Sequence, residues 1–181
     1  MANFIFQKID IPGGPGTNGF VYIFVNGVDS SGLAVGNVGD TDGDSHGFTV
    51  APDQPWTQYD PPTSSNQTDI IGIMSSGEIY GDFTDWSNVQ HGFVVSGGVT
   101  TTIDVPFASA TNISGITASG ELFGSYVYGG EIVEGFIDNK GTFTTIEDPA
   151  GQSTFPGLSR LRGSRAALIV RMSASSTGVR V

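Results

Sequence analysis

Residues 40–47 read DTDGDSHG and concentrate more metal-ligating side chains than any other stretch of the chain. Asp40, Asp42 and Asp44 alternate around Gly43. Hard cations such as Ca²⁺ take six to eight oxygen ligands, and closely spaced carboxylates on a tight glycine turn supply them. The spacing matches the opening D-x-D-G-D of an EF-hand loop, but the bidentate acid required at loop position 12 is missing, because Ala51 stands there. Two readings follow. Asp40, Asp42 and Asp44 form a simpler turn for Ca²⁺ or another divalent cation, or the segment is a polar hairpin loop.

His46 and His91 occupy matching places in two HGF triplets, and Glu134 takes that place in a third, EGF. Side chains of this set could act on a substrate, or hold a divalent metal, only where they face a common axis. The structural alternative has each imidazole bonded to nearby backbone. Asp10, Asp60, Asp104 and Glu147 form a second matched set, expected to accept N–H groups in the turns that follow, or alternatively to form a ring of four carboxylates that binds cations. Trp56, Trp86, Tyr126 and Tyr128 fall outside the regular pattern, and such rings can stack on sugars or other flat ligands or pack at the rim of a core. The chain contains no G-x-S-x-G, no phosphate loop and no His-Glu-x-x-His. It has no cysteine, so disulfides and thiolate metal sites are excluded.

These residues sit in a repeat. SSGLAVGN at 30–37, SSGEIYGD at 75–82 and ASGELFGS at 118–125 align, with anchor glycines Gly32, Gly77 and Gly120 spaced 45 and 43 residues apart. Each anchor is followed 15 residues later by the triplet glycine: Gly47, Gly92 and Gly135. Every unit reads as four short strands, a to d, separated by turns of the Asp-Gly, Ser-Gly-Gly or Asn-Lys-Gly type, where positive φ is cheap. Phe48, Phe93 and Phe136 after the triplet glycine, with Tyr80 and Phe123 on strand b, are predicted core. Residues 6–12, FQKIDIP, resemble a strand d without its a, b and c, and 154–181 can supply a, b and c of a unit without d. The expected architecture is therefore all-β, a single domain over 1–181. It is a four-bladed β-propeller of four-stranded antiparallel blades (13–62, 63–106, 107–149, and 150–181 with 3–12), closed by the N-terminal strand pairing with the C-terminal blade.

The net charge is −11, unevenly spread. All 18 acidic residues lie in 1–157 beside Lys8 and Lys140, whereas 158–181 carries five arginines and no acid. An acidic body repels phosphate backbones, which argues against nucleic-acid binding. No apolar run reaches the ~20 residues of a membrane helix, and the start, MANFIFQKID, lacks the basic and apolar regions of a signal peptide.

The run SSGEIYGD…QHGFVVSGGVTTTIDVP resembles the bacterial extracellular repeat family named for its His-Ala-Phe triplet, the HAF family. The likeness spans roughly 27–150 and departs at Glu134 and in the tail. It implies a propeller-like protein placed outside the cell or on its surface, and it implies no particular activity. The first functional expectation is an extracellular-type binding or scaffold module, taking a small molecule or carbohydrate on its top face or in a central channel, with Ca²⁺ or another divalent cation. The alternative is a metal-dependent hydrolase of esters, lactones or phosphoesters, with Asp40, Asp42, Asp44, His46 and His91 as its candidate residues. A purely structural repeat is the third.

Overall fold

A computed structural model describes residues 20–130 and 132–146. They form twelve strands and three successive antiparallel meanders. The first comprises β1 (Phe20–Val28), β2 (Ala34–Asp40), β3 (Ser45–Val50) and β4 (Thr57–Tyr59). The second comprises β5 (Ser64–Ile73), β6 (Ile79–Asp85), β7 (Gln90–Ser96) and β8 (Val99–Ile103). The third comprises β9 (Ala110–Ile116), β10 (Leu122–Tyr128), β11 (Ile132–Asn139) and β12 (Thr142–Ile146). These are the a-to-d strands that the turn glycines delimit: Gly32, Gly77 and Gly120 all close the a–b turn at φ between 86° and 89°, a conformation that costs glycine little. No helix among the described residues is long and apolar enough to cross a membrane.

The four-bladed closed propeller is not what these strands form. The first two meanders share one mixed eight-stranded sheet, in the order β1-β2-β3-β5-β6-β7-β8 with β4 also on β3, and the third makes a separate four-stranded sheet, β12-β11-β10-β9. Neither sheet closes on itself among the described residues. The physical reason lies in one short strand and one long one. With three residues, β4 covers only Gly47–Thr49 of β3. The ten-residue β5 starts early and bulges between Ser64 and Gln67, with Asn66 at φ 65°. Gln67 thereby reaches the uncovered Ser45 as a parallel partner. The predicted closure of 3–12 onto 150–181 lies outside the described residues.

The meanders are joined through strand a of one and strands b and c of its predecessor. Ile70 on β5 packs against Gly47, and Ile113 on β9 packs against Gly92. A Cβ on either glycine would lie 2.7 Å from the isoleucine side chain, which explains why the triplet needs glycine there. At both junctions the isoleucine N–H reaches out of its own meander to a side chain of the preceding one. Ile70 N donates to Asn37 Oδ1 and Ile113 N to Asp82 Oδ1, each at 2.7 Å. Asn112 Nδ2 adds a bond to Asp82 Oδ2 at 2.8 Å. Asp82 is buried, and that burial pushes its carboxyl up to about 7, against the Ile113 N–H, with Asp69 across the strand pair adding to the rise. Phe48, Phe93 and Phe136 are each 0% exposed at the centres of three core clusters. Tyr80 is buried over Gly72, whereas Phe123 covers Gly115 but keeps 36% of its surface exposed.

Candidate functional site

The b–c turn of the first meander is built on Asp40. Its Oδ1 accepts the backbone N–H groups of Asp42 and Asp44, both at 2.9 Å, while its own N–H donates to Asp44 O at 3.0 Å. Gly43 takes φ 90° at the tip. This is an Asx turn, in which a short carboxylate satisfies backbone donors that the hairpin leaves open. The Asp44 N–H, aided by the Asp42 N–H and by the imidazole of His46, holds the Asp40 carboxyl below the usual carboxylate value despite some desolvation.

Strand β3 then carries His46 into the site. Gly47 pairs with Tyr59 across β3 and β4, so His46 and Asp60 face each other one step further on. His46 Nδ1 lies 2.9 Å from Asp60 Oδ2, and Nε2 points toward Asp40 Oδ2 at 3.7 Å. Gln58 Nε2 donates to Asp60 Oδ2 at 2.9 Å, and Asp60 Oδ1 is buried with no hydrogen-bond partner among the described residues. Asp44 completes the group: ligand atoms of Asp40, Asp44 and His46 all lie within 4.8 Å of one another. Its two oxygens receive Asn66 Nδ2 at 3.3 Å and Gln67 Nε2 at 3.4 Å from the start of β5. Asp42, the third predicted ligand, gives its N–H to the turn and is exposed, outside this group.

The second meander repeats the frame with one change. Asp85 Oδ1 accepts Ser87 and Val89 N–H groups at 2.8 and 2.9 Å, and the Val89 N–H leads in lowering its carboxyl. His91 Nδ1 lies 2.9 Å from Asp104 Oδ1 and Nε2 3.5 Å from Asp85 Oδ2. The residue matching Asp44 is Val89, so the carboxylate that completes the first group has no counterpart here. His91 stacks on Phe83 instead, with ring centroids 5.1 Å apart. In the third meander Glu134 receives the Tyr126 hydroxyl, and Tyr128 stands where Asp40 and Asp85 stand.

His46, His91 and Glu134 are thus each engaged within their own meander, not gathered at an axis. Both imidazoles bond carboxylates, not backbone. Asp60 and Asp104 supply those carboxylates instead of capping the following turns; Asp10 and Glu147 lie outside the described residues. Of the four irregular aromatics, Tyr126 is buried and Trp56 packs half-buried on the cluster of Ala34, Val38, Phe48 and Val50. Trp86 and Tyr128 are 77% and 41% exposed beside two of the b–c turns. The histidine clamp joins residues 13 and 14 positions apart, and the signal for it was in the sequence: a His at the start of strand c and an Asp at the end of strand d, in two units. Asp85 was overlooked because it carries no neighbouring acid of the DTDGD kind. No protein-family model, no curated protein and no solved structure matches this chain.

Proposed function

We propose that the protein is a binding module of extracellular type whose first meander holds a divalent cation through Asp40, Asp44 and His46. The observation that carries this reading is the geometry of His46. A metal-bound imidazole typically gives its other nitrogen to a carboxylate, which fixes the ring and its tautomer. Asp60 stands in that position on Nδ1, while Nε2 faces the Asp40 carboxylate. The amides of Asn66 and Gln67 orient Asp44 in the same supporting fashion. One imidazole and two carboxylates suit a borderline ion such as Zn²⁺ better than Ca²⁺, which prefers an all-oxygen shell of six to eight. The cation would lock the b–c turn and leave coordination positions for a ligand's oxygen atoms. Exposed Trp86 and Tyr128 sit at the b–c turns of the second and third meanders and offer flat faces to a small molecule or carbohydrate. The extracellular placement rests on the likeness to HAF-type repeats.

A second reading has one observation in its favour: three protein ligands leave a fourth position for water, the arrangement of catalytic zinc sites, so the same centre could hydrolyse esters, lactones or phosphoesters.

The chain contains its own control, because Asp44 and Val89 are matched positions. Calorimetric titration with Zn²⁺ should give one equivalent bound by the native chain, none by Asp44→Val and two by Val89→Asp. Equal binding by the native chain and Asp44→Val would remove the proposal. Zn²⁺-dependent turnover of an activated ester, lost in Asp44→Val, would select the hydrolase over the binding module.

A further inference from the structure

Between the second and third meanders runs a cleft of about 400 Å³, within the roughly 300–1,000 Å³ range of small-molecule sites. Met74, Val94, Ile103, Leu122 and Phe143 line it with apolar surface. Glu78, Asp138 and Lys140 line it from the a–b and c–d turn side, and Asp104, already engaged by His91, lies at the other end. This places the cleft along β8, with Glu78, Asp138 and Lys140 at the opposite end of the strands from Asp40 and Asp44.

The equivalent junction between the first and second meanders shows what fits such a space. There Tyr59, opposite Gly47 on the ladder, lays its ring 5.8 Å from Phe93 and makes a 2.6 Å hydroxyl bond to Thr100 Oγ1. At the second junction the residue opposite Gly92 is Ile103, and the residue matching Thr100 is Phe143, which lies edge-on to Phe136 at 5.7 Å. The phenol that bridges the first junction is therefore missing from the second, whose hydroxyl partner has become an aromatic ring. At that end stand two carboxylates and one ammonium group: Glu78 is half-buried at the rim, Asp138 is buried with Oδ1 accepting the Gly141 N–H at 2.7 Å, and Lys140 follows in the c–d turn. Glu78 is held below its usual value chiefly by the Ser76 and Ser96 hydroxyls, with Lys140 contributing, so a negative field faces an entering ligand.

We infer that this cleft is a second binding site, for a small ligand that joins a flat aromatic ring to a cationic group. The ring takes the place that Tyr59 fills in the first junction and packs on Phe143 and Ile103; the cation meets Glu78 at the rim, and the buried Asp138 adds negative charge from the cleft wall. The inference is independent of the cation site and survives its failure.

Tyramine, a phenol with an ammonium tail, is the probe, with 4-hydroxyphenylacetate as its anionic counterpart and p-cresol as the neutral one. Titrated into the full chain, tyramine should bind at least tenfold more tightly than 4-hydroxyphenylacetate. Ile103→Tyr with Phe143→Thr rebuilds the Tyr59–Thr100 pair and should weaken tyramine at least tenfold. Glu78→Gln, on the partly exposed rim, tests the charge without altering the packing: tyramine should weaken several-fold and p-cresol should not change. No tyramine binding, equal affinity for both charged probes, or tyramine affinity unchanged by Glu78→Gln would each overturn the inference, whatever the stability of the double variant.

Discussion

An imidazole whose Nδ1 is taken by a carboxylate presents Nε2 in a fixed direction, and at His46 that direction is toward Asp40 and Asp44. Asp60 is therefore a positioning residue for the proposed cation. Replacing Asp60 by Asn keeps the shape and leaves a weaker, uncharged partner for the ring. Zn²⁺ affinity should fall ~10–100-fold, the usual cost of losing such a support. The same change at Asp104, the matched partner of His91, should leave Zn²⁺ affinity untouched, because that clamp lacks a third ligand. Calorimetry on the two variants checks both expectations, and equal losses would show that the carboxylates act through general charge and not through His46. Part of this grouping could be read in advance: DTDGDSHG contains Asp40, Asp44 and His46, although the sequence set Asp42 beside the two aspartates and placed His46 in a different set. Asp60 was recognised only as a repeated acid, because its role depends on the strand c–strand d ladder, which brings together side chains far apart in the chain.

At the level of strands, the junctions depend on a polar clasp as well as an isoleucine on glycine. Asn37 and Asp82 fill matched places and accept the same kind of N–H, yet only Asp82 can ionise. Its folded value of about 7 stands well above the ordinary 3.8. A raised carboxyl favours folding while it is protonated, so its contribution is full below about pH 3.8 and is lost as pH rises toward 7. Above pH 7 the buried charge costs up to about 4 kcal/mol relative to acid conditions, at ~1.36 kcal/mol per unit. Asp82→Asn copies the first junction, keeps an oxygen for the Ile113 N–H and removes the charge, while its amide nitrogen faces Asn112, whose own amide must turn its oxygen inward to keep that bond. The variant should be more stable than the native chain at pH 8 by roughly 2–4 kcal/mol and about equal near pH 4. Urea denaturation at the two pH values measures this, and a variant less stable at pH 8 would contradict the account. The strands themselves were legible because turn chemistry is local: Gly32, Gly77 and Gly120 announced positive φ, and the apolar runs between turns announced strands. The clasp was not legible, because Asn37 and Asp82 read as ordinary polar strand residues until the next meander is laid over them.

Across the whole molecule, the three meanders carry similar residues at matched positions and differ at a few contacts, and the two proposed sites arise at those differences. Asp44 against Val89 distinguishes the cation turn from its copy, and Ile103 against Tyr59 opens the second junction where the first is filled. The repeat was visible in the sequence from glycine spacing, but the assembly was not. Whether adjacent units stand as separate blades or share a sheet depends on three residues of β4 and a bulge in β5, details that a repeat pattern averages away. Because His46 and His91 sit in matching frames, one spectrum can compare them. Long-range ¹H–¹⁵N imidazole spectra recorded as Zn²⁺ is added should show the His46 Nε2 resonance moving to a metal-bound position, with His91 unchanged. Equal shifts at both histidines, or no shift at His46 under saturating Zn²⁺, would contradict a cation held by Asp40, Asp44 and His46.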